Sequence, residues 1–528
     1  MSSFDRRPRR LVVSVVAFLA AAGLASASGV AERKAALEAA LATVTAGELR
    51  EHAGVLADDT LEGREAGSRG GRAAARYLEG RLRAMGLQAG GANGGYLQRF
   101  NPNYQNILAV LPGADPKLRT EYVLVGAHYD HVGYGSRRNS NGPVGFIHNG
   151  ADDNASGVAA LLEVMDALTK SGWQPRRSIL FSFWDGEEIN LLGSRHWVRE
   201  PTVPLKDVRL AINLDMVGRM KNGRLEVGGT RTGFGLRRLL STANLPDEMW
   251  LDFTWEFKEN SDHWPLAEAG VPSLILHTGI HGDYHRPSDD MEKLNFEGIQ
   301  QSAAYLLEAL CRVADEDDLP AYREAGRSDY PFMRRLREAP LAPLAPRLGL
   351  KWDWRAERET HRMLVASVTP GSAAQRAGLR VGDEIKTIDA SAITNEEQLP
   401  AAVLRAASEI TLAVVREEEE AQPIRVPLDG APVELGISWR EDPAAPGAVY
   451  VTRVVPFSPA GRAGIAIYDR IYTIEGESFA GQDDLLKRVK ERLAAHESIQ
   501  FEVERAGRLR TVAVAMGPPA AAMEDPSL

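Results

Sequence analysis

The stretch His148-Asn149-Gly150-Ala151-Asp152-Asp153-Asn154-Ala155-Ser156-Gly157 decides the fold of the first part of the chain. It places paired carboxylates in a turn flanked by glycine, directly before an apolar helical run over residues 158–168. Carboxylates held among small residues where a helix begins suit a bound cation better than a packed core. Because Asp and Asn are also ordinary turn and N-cap residues, this stretch predicts a cation site only together with the rest of the chain.

Apolar strands alternate with helical patterns around this stretch, and most of the strands run into His, Asp or Glu. Strands are predicted over residues 106–111, 122–127, 178–184, 210–214 and 272–276, and intervening helices over residues 158–168, 192–199 and 234–240. The alternation predicts an α/β domain with a central, mostly parallel mixed sheet flanked by helices on both faces. Ligands bind beyond the carboxyl ends of the strands in such sheets, which is where the acidic and histidine residues fall.

The polar residues at these strand ends have the types that bind divalent metals. They are His128, Asp153, Glu188, Asp215 and the pair Tyr284-His285. Two histidines and three carboxylates can hold two ions if one carboxylate bridges them, and a donor set without thiolate favours Zn²⁺ while also accepting Mn²⁺ or Co²⁺. Glu187 neighbours a ligand without being needed as one, so it is predicted to be the general base that takes a proton from a metal-activated water.

With these residues in place, the chain resembles the di-zinc aminopeptidase family. That family includes secreted bacterial leucyl-type aminopeptidases and, more distantly, glutamate carboxypeptidase and glutaminyl cyclase. The resemblance covers residues 59–314. It rests on the central stretch and on four further motifs: His128-Tyr129-Asp130, Glu187-Glu188, Asn213-Leu214-Asp215-Met216-Val217-Gly218 and Tyr284-His285-Arg286-Pro287.

The resemblance implies a zinc exopeptidase fold, two bound zinc ions and a role for each matching residue. His128 and Asp215 would hold one metal, Glu188 and His285 the other, and Asp153 would bridge them. The remaining implied roles concern three side chains and one peptide bond: a base and acid at Glu187, an oxyanion-stabilising hydroxyl at Tyr284, an orienting partner of His128 at Asp130, and a cis peptide between Asp153 and Asn154.

Other polar and aromatic residues near the site have ordinary structural interpretations. Asp152 is predicted to be a turn residue, and His131, His148 and His281 are predicted to be hydrogen-bonding or surface histidines. His263 fits either a helix cap or a supporting position beside the site. The aromatic residues Trp250, Phe253, Trp255 and Phe257 fit a substrate pocket and a hydrophobic core equally well.

The last third of the chain contains an internal repeat. Leu348-Gly349-Leu350 recurs as Leu435-Gly436-Ile437, and Gly382-Asp383-Glu384-Ile385 recurs as Tyr468-Asp469-Arg470-Ile471. Both copies resemble the PDZ domains attached to bacterial envelope proteases, although the second has Tyr468 where the pattern has Gly. Such domains add a peptide as a strand to a sheet edge, so peptides or protein C-termini are the expected partners at loops marked by Gly349 and Gly436. Spacer domains with blocked grooves are the alternative.

The chain termini and the net charge constrain the localisation and the class of partner. Residues 1–28 combine a basic start, an apolar run and a small-residue cleavage site, which predicts an export signal and a periplasmic or extracellular protein without a stable membrane span after cleavage; an uncleaved anchor is the alternative. The net charge of -10 argues against nucleic acid as a partner. The expected organisation is a signal (1–28), a peptidase domain (29–315), a linker (316–345), two PDZ-like domains (346–430 and 431–517) and a disordered tail (518–528).

These patterns predict an exported metallo-exopeptidase that hydrolyses N-terminal residues of peptides with water activated by two metals. A carboxypeptidase of the same fold is an alternative, and it would use Arg219 or Arg286 to pair the substrate carboxylate. A glutaminyl cyclase is another, although it would be expected to keep one metal only. From a different class, an inactive peptidase fold could act as a scaffold through its PDZ-like domains.

Overall fold

The computed structural model describes residues 33–244, 249–353, 362–417, 419–495 and 497–517. The predicted export signal (1–28) and the predicted tail (518–528) therefore lie outside the described residues. The described residues form two compact units: one comprises those up to Pro331 together with Ala506–Arg508, and the other comprises those from Phe332 to Arg505 together with those from Leu509 onward. Across the described ranges, every helix is too short or too polar to cross a lipid bilayer.

The first unit is built on a nine-stranded sheet. Its strands are β1 (Gln88–Ala89), β2 (Leu97–Phe100), β3 (Tyr104–Leu111), β4 (Tyr122–His128), β5 (Ser178–Trp184), β6 (Val208–Leu214), β7 (Arg224–Gly228), β8 (Trp250–Phe253) and β9 (Ser273–His277). They lie in the order β1-β3-β5-β4-β6-β9-β7-β8, and β2 pairs with β3. The four central strands β5, β4, β6 and β9 are parallel, while β3 and β7 join them antiparallel. The predicted mostly parallel mixed sheet is confirmed.

Helices cover both faces of this sheet. Those described are α1 (33–43), α2 (Ala46–Leu56), α3 (Arg69–Ala84), α4 (Gly157–Ser171), α5 (Leu192–Arg199), α6 (Leu236–Thr242), α7 (His263–Glu268) and α8 (Phe296–Asp315). Side chains of β4 alternate between the faces: Val123 and Val125 belong to the core with α4 and α8, and Leu124 packs with Trp197 of α5 and Leu266 of α7. Burial on both faces explains why the central strands are apolar throughout.

The first unit continues past the predicted end of the peptidase domain. Leu319 belongs to its hydrophobic core, and the Tyr322 hydroxyl donates a 2.7 Å hydrogen bond to the Ala267 carbonyl. The Arg323 guanidinium pairs with Asp329 at 2.7 Å. The first half of the segment predicted as a linker (316–345) is thus packed on this unit.

The second unit contains two sheets with the same strand order. The first comprises β10 (Leu350–Asp353), β11 (Met363–Val368), β12 (Glu384–Ile388), β13 (Ser391–Ala392), β14 (Glu409–Val415) and β15 (Gln422–Pro427), and the second comprises β16 (Ile437–Glu441), β17 (Val449–Val454), β18 (Arg470–Ile474), β19 (Glu477–Ser478), β20 (Ile499–Arg505) and β21 (Arg508–Val514). Its helices are α9 (Pro331–Arg337), α10 (Ala373–Arg376), α11 (Gln398–Arg405), α12 (Pro459–Arg462) and α13 (Gln482–Ala494). The repeated order confirms two PDZ-like folds.

The second copy keeps its turn despite the residue change at Tyr468. Tyr468 has φ +74°, close to the φ of +88° at Gly382 in the first copy. The following aspartate also repeats its contacts, since Asp383 pairs with Arg416 and Asp469 pairs with Arg505. The left-handed conformation is therefore retained by a residue that adopts it at a steric cost.

Candidate metal centre

The five residues predicted as metal ligands lie together at the carboxyl ends of the parallel strands. His128 is the last residue of β4, Asp215 directly follows β6, and Glu188 lies in the loop after β5. Asp153 lies in the turn before α4, and His285 lies in the loop after β9. All five side chains are buried or half-buried. The sheet topology thus collects residues that are far apart along the chain.

The ligand atoms form two groups that share Asp153. In the first, His128 Nε2 lies 3.4 Å from Asp153 Oδ1 and 3.3 Å from Asp215 Oδ1. In the second, His285 Nε2 lies 3.1 Å from Asp153 Oδ2 and 3.0 Å from Glu188 Oε2. Asp153 therefore presents one carboxylate oxygen to each group, which is the arrangement that a bridging ligand requires.

His131 is an additional member of the second group. Its Nδ1 atom lies 2.8 Å from Glu188 Oε1 and 3.8 Å from Asp153 Oδ2. The side chain is buried, and its Nε2 atom has no hydrogen-bond partner within the described ranges. His131 is thus not a surface histidine, and its hydrogen bond is made to a predicted ligand. The signal that could have identified it is its place three residues after His128, at the same strand end.

The donor set and its spacing fit a divalent metal such as zinc. Zinc bonds of about 2.0–2.2 Å to nitrogen and oxygen place neighbouring tetrahedral ligand atoms roughly 3.3–3.6 Å apart. The His–carboxylate distances of 3.0–3.4 Å around His128 and His285 are close to that spacing, and those of His131 lie on either side of it at 2.8 and 3.8 Å. All donors are imidazole or carboxylate, and none is sulfur. The residues present therefore suit the ions that the family resemblance implies.

Asn154 holds the two halves of the first group together. Its side-chain N–H donates to the Leu214 carbonyl at 2.9 Å, and its Oδ1 atom accepts from the Met216 N–H at 3.1 Å. These bonds bracket Asp215 and fix it against the turn that carries Asp153. The Asp153–Asn154 peptide bond is cis, as the resemblance implies. Gly150 enters this turn at φ +55°, where an added Cβ atom would lie 2.1 Å from the Asp153 carbonyl oxygen.

Hydrogen bonds from neighbouring residues orient the ligands. The Ser261 hydroxyl donates to Asp215 Oδ2 at 2.6 Å and accepts from the Asn213 amide at 2.8 Å. The Asp130 carboxylate accepts the backbone N–H groups of Glu187 at 3.1 Å and Glu188 at 3.4 Å. Its Oδ1 atom is 3.8 Å from His128 Nδ1, which lies nearer to the Asp130 carbonyl oxygen at 3.2 Å. The Asp130 side chain thus contacts the Glu187-Glu188 loop more closely than it contacts His128.

Buried Arg64 ties three segments around the centre. Its guanidinium donates to the backbone carbonyls of Tyr129, Asn149 and Gly150 at 2.9, 2.6 and 3.0 Å, and also to that of Leu56. Burial lowers its pKa to about 10, which leaves it charged at neutral pH. A fixed positive charge beside many carboxylates reduces their mutual repulsion.

Glu187 and Tyr284 line the same cavity as the first group but belong to neither group of ligands. Burial raises the pKa of Glu187 well above its ordinary range; His128 opposes that rise, and Glu188 and Asp215 reinforce it. Burial also raises the pKa of the Tyr284 hydroxyl, so it stays protonated and can donate a hydrogen bond. The cavity has a volume of about 290 Å³. An acid–base group and a donor therefore face space that a substrate can enter.

The remaining predicted neighbours divide between structural positions and the lining of the cavity. Asp152 is buried and accepts from the Gly218 N–H at 2.5 Å, while His148 Nε2 bonds the Ser140 hydroxyl at 2.8 Å. His263 is buried and lines the cavity. Of the four aromatic residues that fitted either a pocket or a core, Trp250 is exposed and Phe253, Trp255 and Phe257 are buried. None of the four lines this cavity, so they do not form the substrate pocket.

In the second unit, a groove of about 160 Å³ lies beside the Gly349 loop of the first PDZ-like fold. Its walls come from β10, including Trp352, and from α11, including Leu399 and Val403. Pro456 and Phe457 of the second copy also line it, and the Phe457 ring lies 6.2 Å from the Trp352 ring between centroids. The predicted strand-binding edge of the first copy is therefore partly covered by the second.

Comparison with known proteins agrees with these observations. Residues 106–310 match the family model of peptidase family M28, and residues 346–415 and 433–516 each match a PDZ domain. The chain is 28% identical over 232 residues to leupeptin-inactivating enzyme 1 of Streptomyces exfoliatus, covering 43% of this chain and 47% of that protein. It is 30% identical over 202 residues to a probable leucine aminopeptidase of Arthroderma benhamiae, covering 36% of this chain and 52% of that protein.

A solved structure of the aminopeptidase LapA from Legionella pneumophila superposes with a TM-score of 0.45 at 19% identity, covering 53% of this chain and 75% of that chain. The chain spans about half the length of the curated relatives it matches. The chain therefore contains a peptidase family M28 domain followed by two PDZ domains.

Proposed function

We propose that this protein is an exported zinc-dependent aminopeptidase that removes N-terminal residues from peptides and uses two metal ions. The observation that carries the proposal is the pair of ligand groups sharing Asp153, next to a cavity that also contains the unligated carboxylate of Glu187. Relatives of similar sequence that are named aminopeptidases support the same choice.

Each ion would have its own ligands in addition to the shared Asp153. His128, Asp153 and Asp215 would hold the first, and Asp153, Glu188, His285 and His131 would hold the second. When bound, such ions lower the pKa of a coordinated water and polarise the carbonyl of the peptide bond to be cleaved. The first group supplies fewer protein donors than the second, so it leaves more room for water and substrate.

The protein's own residues would carry the proton transfers. Glu187 would take a proton from the attacking water and deliver it to the leaving amine, a role for which a raised pKa suits a buried carboxylate. Tyr284 would donate its hydroxyl hydrogen to the oxygen that becomes negative as the carbonyl is attacked. The acidic lining of the cavity would favour the positively charged α-amine of the substrate.

The surroundings of the cavity disfavour a carboxypeptidase. Arg219 pairs with Asp283 at 3.3 Å and with Asp289 at 2.9 Å, so its charge is already matched. Arg286 is exposed, and neither arginine lines the cavity. A glutaminyl cyclase with a single metal would not need the complete first group of His128, Asp153 and Asp215.

Turnover of aminoacyl-7-amido-4-methylcoumarin substrates tests the proposal. Metal-loaded protein should release the fluorophore, a chelator should abolish release and added Zn²⁺ should restore it. Glu187→Gln should lower kcat by roughly 100- to 10,000-fold without loss of metal, while Glu259→Gln, at an exposed position paired with Arg195, should retain full activity. The proposal would be contradicted if the chelator did not affect release, or if metal-loaded protein released the fluorophore from none of the aminoacyl substrates. The interpretation as an inactive scaffold would then remain.

We further propose that export places the enzyme in the periplasm or outside the cell, and that the PDZ domains bind peptides or protein C-termini. The basic and apolar pattern of residues 1–28 supports export. Amino-terminal sequencing of the mature protein from fractionated cells tests it, with cleavage near residue 28 as the expected result. An intact terminus in the membrane fraction would indicate an uncleaved anchor instead.

A further inference from the structure

The cavity extends beyond the reacting groups, and its lining contains two kinds of residue. Met216, Ile275 and Ile280 are apolar. Glu226 and His277 are polar, and they are direct register partners across the β7–β9 pair. A pocket for the side chain of leucine would be expected to be apolar throughout. This cavity instead has a carboxylate among its apolar residues.

Glu226 is held in one position by two partners. His277 Nε2 lies 3.2 Å from Glu226 Oε2, and the Gly279 N–H donates to His277 Nδ1 at 3.1 Å, so Nε2 carries the hydrogen that points to Glu226. Arg224 contacts Glu226 Oε1 at 2.6 Å and also pairs with Asp252 at 2.5 Å. The carboxylate therefore has a fixed orientation before any substrate binds.

Glu226 is also ionised. The hydrogen bond from His277 lowers the pKa of Glu226, partial burial opposes that shift, and Arg224 adds to it. Arg224 shares its charge with Asp252 and does not line the cavity. At the rim, exposed Glu256 and Lys258 pair with each other and largely cancel. The cavity lining thus presents an ionised carboxylate, while the arginine that pairs with it lies outside the lining.

We propose that this pocket selects substrates whose N-terminal residue is lysine or arginine, with the aliphatic stem along Met216 and Ile275 and the cationic head at Glu226. The inference rests on the proposed aminopeptidase function. Long basic side chains combine an apolar stem with a charged end, which matches the apolar residues and the carboxylate of the lining. A leucine side chain would displace water from Glu226 without adding a cationic partner, and an acidic side chain would meet its negative charge directly.

Turnover of four substrates tests the selection. On metal-loaded protein, kcat/KM for arginyl- and lysyl-7-amido-4-methylcoumarin should exceed that for the leucyl substrate by at least tenfold, and the glutamyl substrate should be the poorest. Glu226→Gln should reduce the arginine-to-leucine ratio at least tenfold while the leucyl rate shows that the protein is folded. Glu259→Gln, which removes a carboxylate outside the cavity, should keep the wild-type ratio.

Binding separates this inference from the proposed function. Zinc-loaded Glu187→Gln protein should bind L-argininamide at least tenfold more tightly than L-leucinamide by calorimetry, and Glu187→Gln/Glu226→Gln should lose that preference. If no substrate turns over but this preference is present, the aminopeptidase proposal fails and the pocket assignment stands. If leucyl substrates are preferred, or if Glu226→Gln leaves the ratio unchanged, the pocket assignment is wrong even though the enzyme is an aminopeptidase.

Discussion

The candidate metal centre of the first unit and the groove of the first PDZ domain are both proposed sites for peptides, but different kinds of residue form them. At the metal centre, His128, Asp153 and Glu188 are charged or titratable side chains with partners 2.8–3.4 Å away. In the groove, the walls are apolar side chains and a backbone loop at Gly349. Function at the candidate metal centre depends on the positions of individual ligand atoms, and binding in the groove depends on the shape of its apolar walls.

The difference predicts how each region responds to change. A buried network of charges loses function steeply when one member is removed, because the remaining charges are left without a partner. An apolar groove responds in smaller steps, because each side chain contributes area. Substitutions in the two regions should therefore differ by orders of magnitude in effect.

The largest effect is expected for Asp153→Asn. Because Asp153 contacts both ligand groups, a neutral amide there should weaken both metals at once. Zinc content measured by mass spectrometry should fall from about two ions per chain to fewer than about one, and turnover should fall at least about 1,000-fold. Asp152→Asn, one residue earlier and outside both groups, should keep the wild-type zinc content. Retention of two ions by Asp153→Asn would refute the shared-ligand arrangement.

A smaller effect is expected for His131→Gln. Glutamine can keep a hydrogen bond to Glu188 but is a poor metal ligand, so competition with a chromogenic chelator should show one of the two zinc ions bound about 10- to 100-fold more weakly. His148→Gln provides the matched control, since His148 is buried nearby but bonds the Ser140 hydroxyl and the Phe146 carbonyl. Equal affinities in wild type and His131→Gln would show that His131 is not a ligand.

Two carboxyl groups, one in each unit, should contribute to stability with opposite dependence on pH. Burial raises the pKa of Glu163 in α4 to about 7, opposed by a 2.8 Å hydrogen bond from the Thr45 N–H. The contribution of the protonated Glu163 carboxyl to folding stability is complete below pH 4.5, its ordinary pKa, and is lost as the pH rises through about 7. Asp383 in the first PDZ domain behaves in the opposite way. Burial raises its pKa, but the pairing with Arg416 lowers it, and the resulting pKa lies below the ordinary value of 3.8. The contribution of Asp383 to folding stability is therefore present above pH 3.8 and is lost as the pH falls further.

Glu163→Gln tests this dependence. At pH 8 the variant should unfold at a higher temperature than wild type, with a gain of at most about 3 kcal/mol, because a neutral amide replaces a buried charge. At pH 4.5 the two proteins should unfold at nearly the same temperature. Calorimetric melting at both pH values provides the measurement, and an equal shift at both would contradict the assignment.

The smallest effect is expected at the PDZ groove. Phe457→Ala removes a ring that lines the groove from the neighbouring copy, so a peptide with a free apolar C-terminus should bind about tenfold more tightly by fluorescence anisotropy. Phe332→Ala, at an exposed position in α9, should leave binding unchanged. Weaker binding to Phe457→Ala would mean that the ring supports the ligand instead of covering its site.

The sequence predicted the parts of the fold whose signal is local. The central strands could be predicted because burial on both faces makes them continuous apolar runs, as in β5. β7 was missed because Leu225 and Val227, which alternate with Arg224 and Glu226, are its only large apolar residues, too few to distinguish a strand from a loop. The ligand residues could be found from residue type at strand ends. Aromatic residues could not be assigned, since core and pocket use the same side chains.

Contacts between distant segments lay beyond sequence reasoning. The position of His131 three residues after His128 hints at the site, but the sequence does not show which way a buried imidazole points, so its contact with Glu188 was not predicted. The bonds of Asn154 to Leu214 and Met216, and of Ser261 to Asp215, join segments about 50–60 residues apart. Phe457 covers part of the PDZ groove through a contact between the two repeats, which the sequence of either repeat does not show.

Anomalous diffraction at the zinc edge, from crystals of the zinc-loaded protein, tests the central claim most directly. We expect two peaks, one on each side of the Asp153 carboxylate: one next to His128 and Asp215, and the other next to Glu188, His131 and His285. A single peak, or peaks away from Asp153, would contradict it.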